Sequence, residues 1–197
     1  KLENFLYYSL PVVTAGFPSS GKLQGGTMIQ IVGSHLDPVS PTDSVLCRFD
    51  GVNALAYVES SSSIFCQTPD LQISNATAVF VEISTNSGSE FTFGLSYLYN
   101  DIPDVRMISP HQGIEFGGAS VKVLGSGFVN TPQLGCKFHT TVVSAFYISS
   151  SMISCIAPPH EPIDDACVDV TVNGVDFTDC VSKYTFTAAA TSGLFDK

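Results

Sequence analysis

Two copies of one cysteine-framed segment constrain this chain more than any other feature of its sequence. The first copy runs from Cys47 to Cys66, and the second runs from Cys136 to Cys155. The two cysteines are 19 positions apart in each copy, and the copies are displaced by 89 positions. Each copy begins with a Cys-x-Phe triplet, and a proline stands three positions after its second cysteine, at Pro69 and Pro158. Because self-similarity of this kind marks repeated structural units, we predict two similar domains within the 197 residues.

The cysteines are predicted to form disulfide bonds in an oxidising compartment. The chain contains six, an even number, and four of them stand at repeated positions. Zinc is the alternative, but there is no Cys-x-x-Cys pair and the histidines do not cluster with the cysteines. A bridge within each copy would close a loop of about 20 residues, which stabilises a fold by roughly 3 kcal/mol in the chain-entropy model.

Charge and hydropathy exclude several classes of function. The net charge is −10 with only eight Lys and Arg residues, whereas nucleic-acid binding requires cationic groups that neutralise phosphates. An anionic membrane surface is an equally poor partner. No segment approaches the ~20 apolar residues of a transmembrane helix, so no membrane insertion is expected within this sequence. The low charged fraction of 13% suits a secreted or surface-exposed protein.

Alternating apolar residues between turn signals predict an all-β chain. A Gly-Gly pair precedes an alternating strand in both copies, at Gly25-Gly26 and Gly117-Gly118. In the first of these strands Ile29 and Ile31 should face the core while Gln30 faces water, and Val121, Lys122 and Val123 should do the same in the second. Since no segment has a sustained helical period, many short strands at intervals of 8–12 residues indicate a β-sandwich.

The third cysteine pair belongs to the second copy alone. Asn173-Gly174 lies between two alternating runs, which predicts a hairpin turn. An offset of 87 positions places Cys167 on Phe80 and Cys180 on Phe93. We therefore expect a cross-strand Cys167–Cys180 disulfide in the second copy and a packed contact between the two phenylalanines in the first.

The amino-terminal residues are predicted to form a strand without a domain of its own. The aromatic run Phe5, Leu6, Tyr7 and Tyr8 matches Tyr97-Leu98-Tyr99-Asn100, the last strand of the first copy, at an offset of 92. Either the chain is part of a longer array, or this strand serves another molecule. The expected organisation is residues 1–11 as this strand, 12–102 and 103–187 as the two domains, and 188–197 as a tail.

The ordered motifs of both copies resemble those of the IPT/TIG domain family. Each copy contains Pro-x-x-Gly, Gly-Gly followed by an alternating strand and a glycine, Cys-x-Phe, Cys-x-x-Pro and a terminal tyrosine motif. They stand at Pro18, Gly21, Gly25-Gly26, Gly33, Cys47-Arg48-Phe49, Cys66, Pro69, Val81, Tyr97 and Tyr99, and at Pro110, Gly113, Gly117-Gly118, Gly125, Cys136-Lys137-Phe138, Cys155, Pro158, Asn173-Gly174 and Tyr184. The resemblance implies two immunoglobulin-like sandwiches and carries no catalytic residues, because the family shares none.

No catalytic, cofactor-binding or metal-ligating set is expected. The four histidines, His35, His111, His139 and His160, have no ligand spacing; three fall in predicted loops and His139 follows Phe138 on a strand. A Ca²⁺ site near the domain junction is disfavoured, because Asn100-Asp101 and Asp104 do not supply a dense carboxylate set. Asn75-Ala76-Thr77 is the only Asn-x-Ser/Thr sequon, which makes Asn75 a candidate for glycosylation.

Three functional hypotheses remain at the level of sequence, and none of them is enzymatic for this segment. The first is an extracellular structural, assembly or adhesion protein, whose residues 1–10 could add a strand to another copy and so build a filament. Its partners would be copies of itself or neighbouring repeats. The second is the stalk of a plexin-like or fibrocystin-like cell-surface receptor. The third is an accessory carbohydrate-binding module of a secreted enzyme, which the sequence disfavours because Trp is absent and most Tyr and Phe occupy core-alternating positions.

Overall fold

The computed structural model describes residues 7–189 of the chain and shows an all-β protein. No helix occurs within these residues. The chain divides into two compact units, Lys1–Asp101 and Ile102–Lys197, which we call the first and second domains. Both contain eight strands in the same order, so the duplication inferred from the cysteines is a duplication of the whole fold.

The strands of the first domain begin directly after Pro11 and end at Asn100. They are β1 Val12–Phe17, β2 Ser20–Lys22, β3 Met28–Ser34, β4 Leu46–Phe49, β5 Val52–Ser60, β6 Ser63–Gln67, β7 Thr77–Ser84 and β8 Thr92–Asn100. The strands of the second domain are β9 Asp104–Ser109, β10 Gln112–Ile114, β11 Ser120–Ser126, β12 Gly135–Phe138, β13 Thr141–Ser149, β14 Met152–Ile156, β15 Ile163–Thr171 and β16 Ser182–Thr187.

Each domain consists of two sheets that share one bent strand. In the first domain, sheet A has the order β1-β3-β6-β5 and sheet B has the order β5-β4-β7-β8-β2. Residues 52–55 of β5 pair with β4, and its later residues pair with β6. All pairings are antiparallel except that of β2 with β8, which is parallel. Strand β13 has the same double role in the second domain, between β12 and β14.

The core lies between the two sheets, where alternate residues of each strand point inward. Ile29 and Ile31 are fully buried, as are Val121 and Val123, whereas Lys122 is exposed; the predicted alternation is therefore confirmed. The largest buried side chains of the first domain are Phe49, Tyr97 and Tyr99, and their counterparts in the second are Phe138, Tyr184 and Phe186. Their rings meet edge to face, which adds to the stabilisation from burial.

The repeated glycines leave room for the repeated tyrosines and prolines. A Cβ atom on Gly21 would lie 2.1 Å from the Tyr97 hydroxyl oxygen, and one on Gly113 would lie 2.1 Å from that of Tyr184. At Gly25 the φ angle is +72° and an added Cβ would lie 2.6 Å from the backbone of Pro69, so only glycine fits there. The separate sequence motifs are thus parts of one packed unit.

The turn at Asn173-Gly174 differs from the sequence-based expectation. The stretch after Asn173-Gly174 is a loop and not a two-residue hairpin, because β15 ends at Thr171 and β16 begins only at Ser182. The Asn173 Oδ1 accepts the N–H groups of Val175 and Asp176, at 3.1 and 2.8 Å, and so stabilises a side-chain-capped turn. The peptide bonds before Pro18 and Pro110, whose isomer was not predicted from the sequence, are both cis, at the point where the chain passes from one sheet to the other.

Candidate functional site

The histidines, cysteines and acidic residues that the structure describes do not come together as a metal site. No group of three or more His, Cys, Asp or Glu side chains within residues 7–189 could hold a metal ion, and the residues considered for Ca²⁺ form none. His139 lies in a turn with a φ of 55°, and not on a strand as predicted. The centroid of its ring lies 5.4 Å from that of His160 in an edge-to-face arrangement. The His160 ring in turn stacks on Phe186, with the centroids 5.0 Å apart. Sequence spacing could not reveal this cluster, because it joins two separate loops and strand β16.

All six cysteines form disulfide bonds, but in two different environments. Cys47–Cys66 joins β4 of sheet B to β6 of sheet A, and Cys136–Cys155 makes the same connection between β12 and β14. These four cysteines are fully buried. The Cys167–Cys180 bond lies at the surface, since Cys180 is exposed and Cys167 only partly buried. Cys180 precedes β16 and is therefore in the loop, not directly across from Cys167.

The outer face of sheet B in the first domain carries an exposed aromatic pair. Phe80 and Phe93 are 63% and 64% exposed, and their ring centroids are 5.1 Å apart. The predicted contact is thus formed, but on the solvent side of the sheet. With Asp50, Gly51 and Glu82 the pair lines a shallow hollow of about 330 Å³.

An ion pair stacked on a phenylalanine borders this face in both domains. Arg48 donates from Nε to Glu82 Oε2 at 2.7 Å, and its guanidinium lies 3.7 Å from the centroid of the Phe91 ring. The hydrogen bond from Arg48 holds the pKa of the Glu82 carboxyl below its usual value. The second domain repeats the arrangement: Lys137 Nζ lies 2.7 Å from Asp169 Oδ2 and 4.4 Å from the centroid of the Phe177 ring.

The outer face of sheet A carries a second aromatic group. Strand register places Phe17 opposite Gln30, Gln30 opposite Phe65, and Phe65 opposite Tyr57. These four residues, which we call the aromatic row, therefore cross all four strands of the sheet in one line. Phe17 and Tyr57 are 59% and 71% exposed, while Gln30 and Phe65 are partly buried. The Tyr57 and Phe65 ring centroids lie 6.4 Å apart.

These exposed rings contradict the expectation that most aromatic residues occupy the core. Besides the four rings already described as exposed, Phe116 and Phe146 of the second domain are also more than half exposed. The part of the argument against a carbohydrate-binding surface that placed most Tyr and Phe in the core is consequently wrong, while the absence of Trp stands. The reason is local: in β5 the small Ala54 and Ala56 pack against the core, and the larger residues between and beyond them point outward.

The predicted assembly strand is only partly within the described residues. Phe5 and Leu6 lie outside them. Tyr7 is 94% exposed, and residues 7–11 form no strand. The Tyr8 hydroxyl donates to Glu90 Oε2 at 2.8 Å and accepts from Asn86 Nδ2 at 2.8 Å, so this side chain contacts the turn region between β7 and β8 of its own domain.

The remaining candidate, Asn75, lies in an exposed bend immediately before β7. The hydroxyl of Thr77, the third residue of the sequon, donates to the Asn75 carbonyl oxygen at 2.8 Å. Both side chains are open to solvent, as a glycosyltransferase would require.

Among the described residues, no helix is long and apolar enough to cross a membrane.

Comparison with known proteins identifies similar proteins in several organisms. The chain is 26% identical over 157 residues to fibrocystin-L of Mus musculus, covering 79% of this chain and 4% of that protein. It is 26% identical over 156 residues to plexin A3 of Danio rerio, covering 77% and 8%. It is 24% identical over 143 residues to the probable serine/threonine-protein kinase drkC of Dictyostelium discoideum, covering 61% and 19%. The chain thus spans less than a fifth of the length of each relative.

Solved structures support the same architecture. Two structures of the plexin A4 full extracellular region match 90% and 91% of this chain with TM-scores of 0.51 and 0.54, at 22% and 21% identity. The three disulfide bonds require an oxidising compartment, and the chain is accordingly extracellular or at the cell surface. The IPT/TIG domain profile matches residues 11–97 and 103–188. This chain therefore belongs to the IPT/TIG domain family and contains two such domains in tandem.

Proposed function

We propose that this chain is a stalk segment of a cell-surface protein, in which consecutive IPT/TIG domains act as spacers and protein-contact modules without catalysis. The observation that carries the proposal is the serial arrangement of the two domains. Only residues 101–103 separate β8 from β9, and each sandwich is braced by its own core disulfide bond. Because each domain has its own core, such domains can follow one another along a chain without needing a neighbour in order to fold.

The entry into the first domain supports this arrangement. Pro11 stands immediately before β1, and Pro103 stands immediately before β9; both are buried. The residues that precede these prolines, Tyr7-Tyr8-Ser9-Leu10 and Tyr99-Asn100-Asp101-Ile102, are similar at the same offset of 92. The first domain is thus entered through the kind of sequence that joins one repeat to the next.

Strand donation between copies is the alternative function. The exposed Tyr7 next to an apolar run favours it, because an unpaired aromatic segment can add to a sheet edge of another molecule. The hydrogen bonds of Tyr8 to Glu90 and Asn86 oppose it, since donation would require them to break. Head-to-tail donation would produce an open filament, whereas a stalk segment remains monomeric in isolation.

Sedimentation velocity of the secreted 197-residue chain distinguishes these functions. A stalk segment should sediment as a 20.9 kDa monomer at every concentration tested, and a variant lacking residues 1–11 should behave identically. Large species that grow with concentration, and that disappear when residues 1–11 are deleted, would overturn the stalk proposal in favour of the filament. Negative-stain electron microscopy of the same samples would show whether those species are linear.

A further inference from the structure

We propose that the aromatic row on sheet A of the first domain binds a neutral oligosaccharide. The row consists of Phe17, Gln30, Phe65 and Tyr57, in that order across β1, β3, β6 and β5. The proposal goes beyond a spacer role and does not depend on it, because it concerns one face of one domain.

The geometry of the row suits a linear chain of sugar rings. Adjacent strands lie about 4.8 Å apart, so the row extends roughly 14 Å from the first strand to the fourth. This distance corresponds to a few consecutive pyranose units. Pyranose rings present C–H groups on an apolar face, which packs against aromatic rings, while their hydroxyl groups point outward to polar side chains. The row offers aromatic rings at both ends and an amide between them.

The amide is held in place by its own domain. Gln30 Nε2 donates to Ser63 Oγ at 3.1 Å, on the neighbouring strand. This bond orients the side chain so that its Oε1 can accept a hydrogen bond from a ligand hydroxyl. A second amide, Gln67, lies on the same face opposite Met28. A preoriented amide loses less side-chain entropy on binding than a mobile one.

The outer face of sheet A carries little charge. The paired positions that share this face by strand register are uncharged: Val12, Ala15, Phe17, Met28, Gln30, Val32, Ser34, Tyr57, Ser60, Ser63, Phe65 and Gln67. Glu59, the exposed bulge residue of β5, adds one carboxylate at the edge of the face, beside Tyr57. The chain as a whole has 26 charged residues, 18 acidic and eight basic, so the scarcity of charge along the aromatic row favours a neutral ligand. Anionic polysaccharides would also be repelled by the net charge of −10.

The fold itself does not require these aromatic residues. In the second domain the corresponding line is Ser109, Lys122, Ser154 and Phe146, and the domain has the same strand order. Only Phe146 is aromatic there. Since the two domains share the structural demands of the sandwich, the aromatic row is a property of the first domain alone.

The size of the face argues for a small ligand. Four strands and about five residues along each give an area of a few hundred Å², whereas a stable protein–protein interface buries about 800 Å² on each partner. A second copy of the chain would therefore be held weakly by this face. An oligosaccharide of three or four units is matched to it.

Titration of the full chain with neutral hexasaccharides tests the proposal. Maltohexaose, cellohexaose and hexa-N-acetylchitohexaose would each be added to ¹⁵N-labelled protein, and amide shifts followed by NMR. At least one should shift resonances of β1, β3, β5 and β6 selectively. Tyr57→Ala and Phe17→Ala should each weaken that binding by about tenfold or more, corresponding to ~1.4 kcal/mol. Phe146→Ala, at the matching position of the second domain, should leave it unchanged.

The variants should fold normally, because Phe17 and Tyr57 are mostly exposed and surface substitutions change stability little; unchanged thermal melting would verify this. The proposal is overturned if none of the three sugars shifts these strands, or if Phe146→Ala weakens binding as much as Tyr57→Ala. It is also overturned if the chain dimerises through this face, with Tyr57→Ala restoring the monomer in sedimentation. The first two outcomes leave the stalk role intact, whereas dimerisation would also contradict the monomer expected of a stalk segment.

Discussion

A mild reductant should open the Cys167–Cys180 disulfide long before the other two. Thiol–disulfide exchange and phosphine reduction both require an attacking atom to reach a sulfur, so access controls the rate. Cys180 is exposed and Cys167 is only partly buried. The four cysteines of the core disulfides have no exposed surface at all. Reduction of the core bonds must therefore wait for the domain to open.

The expected difference in rate is large. If opening a sandwich enough to expose its core costs about 4 kcal/mol, the population of the open state, and with it the reduction rate, falls roughly thousandfold, since each ~1.4 kcal/mol is a factor of ten. The Cys167–Cys180 bond joins residues 13 positions apart. When it is reduced, the unfolded state gains chain entropy that stabilises it by roughly 3 kcal/mol. The second domain should consequently lose stability, and a domain of this size loses about 4–8 °C in Tm for each kcal/mol.

The assay is native reduction followed by alkylation and peptide mapping. The chain is treated with a phosphine, sampled over time and trapped with iodoacetamide, and each cysteine is quantified by mass spectrometry. Label should appear first on Cys167 and Cys180, and a variant with both replaced by serine should lack this fast phase. The reasoning is refuted if all six cysteines acquire label at one rate, or if Cys47 and Cys66 react first.

Three further outcomes follow from individual contacts. Gly113→Ala should destabilise the second domain by about 1–3 kcal/mol, because its Cβ would overlap the buried Tyr184 hydroxyl; thermal unfolding measures this. Glu82→Gln should lower stability at neutral pH but not in acid: Arg48 lowers the folded-state pKa of Glu82, so the stabilisation is present above the unfolded pKa of about 4.3 and is lost as pH falls through the folded pKa. Asn75→Gln should abolish a peptide-N-glycosidase-sensitive mass shift when the chain is secreted by eukaryotic cells.

Each of these outcomes has a result that would contradict it. Gly118→Ala meets no atom within 4 Å but has a φ of +83°, so it measures backbone strain, whereas Gly113→Ala measures steric overlap. Unchanged stability of the Gly113→Ala variant would contradict the steric explanation. Denaturant unfolding of the Glu82 variant at acidic pH should match the unsubstituted chain; a persistent difference would mean that Glu82 acts through packing. If peptide-N-glycosidase does not change the mass of the unsubstituted secreted chain, the sequon is not used.

Repeat structure and strand alternation were readable from the sequence because both depend on local spacing. The positions of the cysteines, the Gly-Gly pairs and the alternating strands of Ile29–Ile31 and Val121–Val123 define the sandwich in both domains. Alternation tells which residues share a face. It does not tell which face is inside when both sets are apolar.

Strand β5 shows why the inward face was hard to predict. Its register puts Ala54 opposite Cys47 and Ala56 opposite Cys66, beside the buried disulfide bond. There the interior between the sheets is already filled by sulfur, so only small side chains fit, and the larger Tyr57 points outward. A rule that places the larger residues in the core predicts the wrong inward face for β5. The cysteines that determine the available space lie on other strands, so the sequence of β5 alone does not show it.

The two domains of this chain act as controls for one another, and that comparison locates function better than either domain alone. Positions with the same role in both, such as Gly21 with Tyr97 and Gly113 with Tyr184, satisfy steric demands of the sandwich itself. Surface positions that differ are free of those demands. The exposed Phe80–Phe93 pair is replaced by a disulfide bond at the surface of the second domain, and three of the four positions of the aromatic row carry Ser or Lys there. Since exposed aromatic rings add no core stability, the surface positions at which only the first domain is aromatic are the ones where the search for a bound ligand or partner should begin.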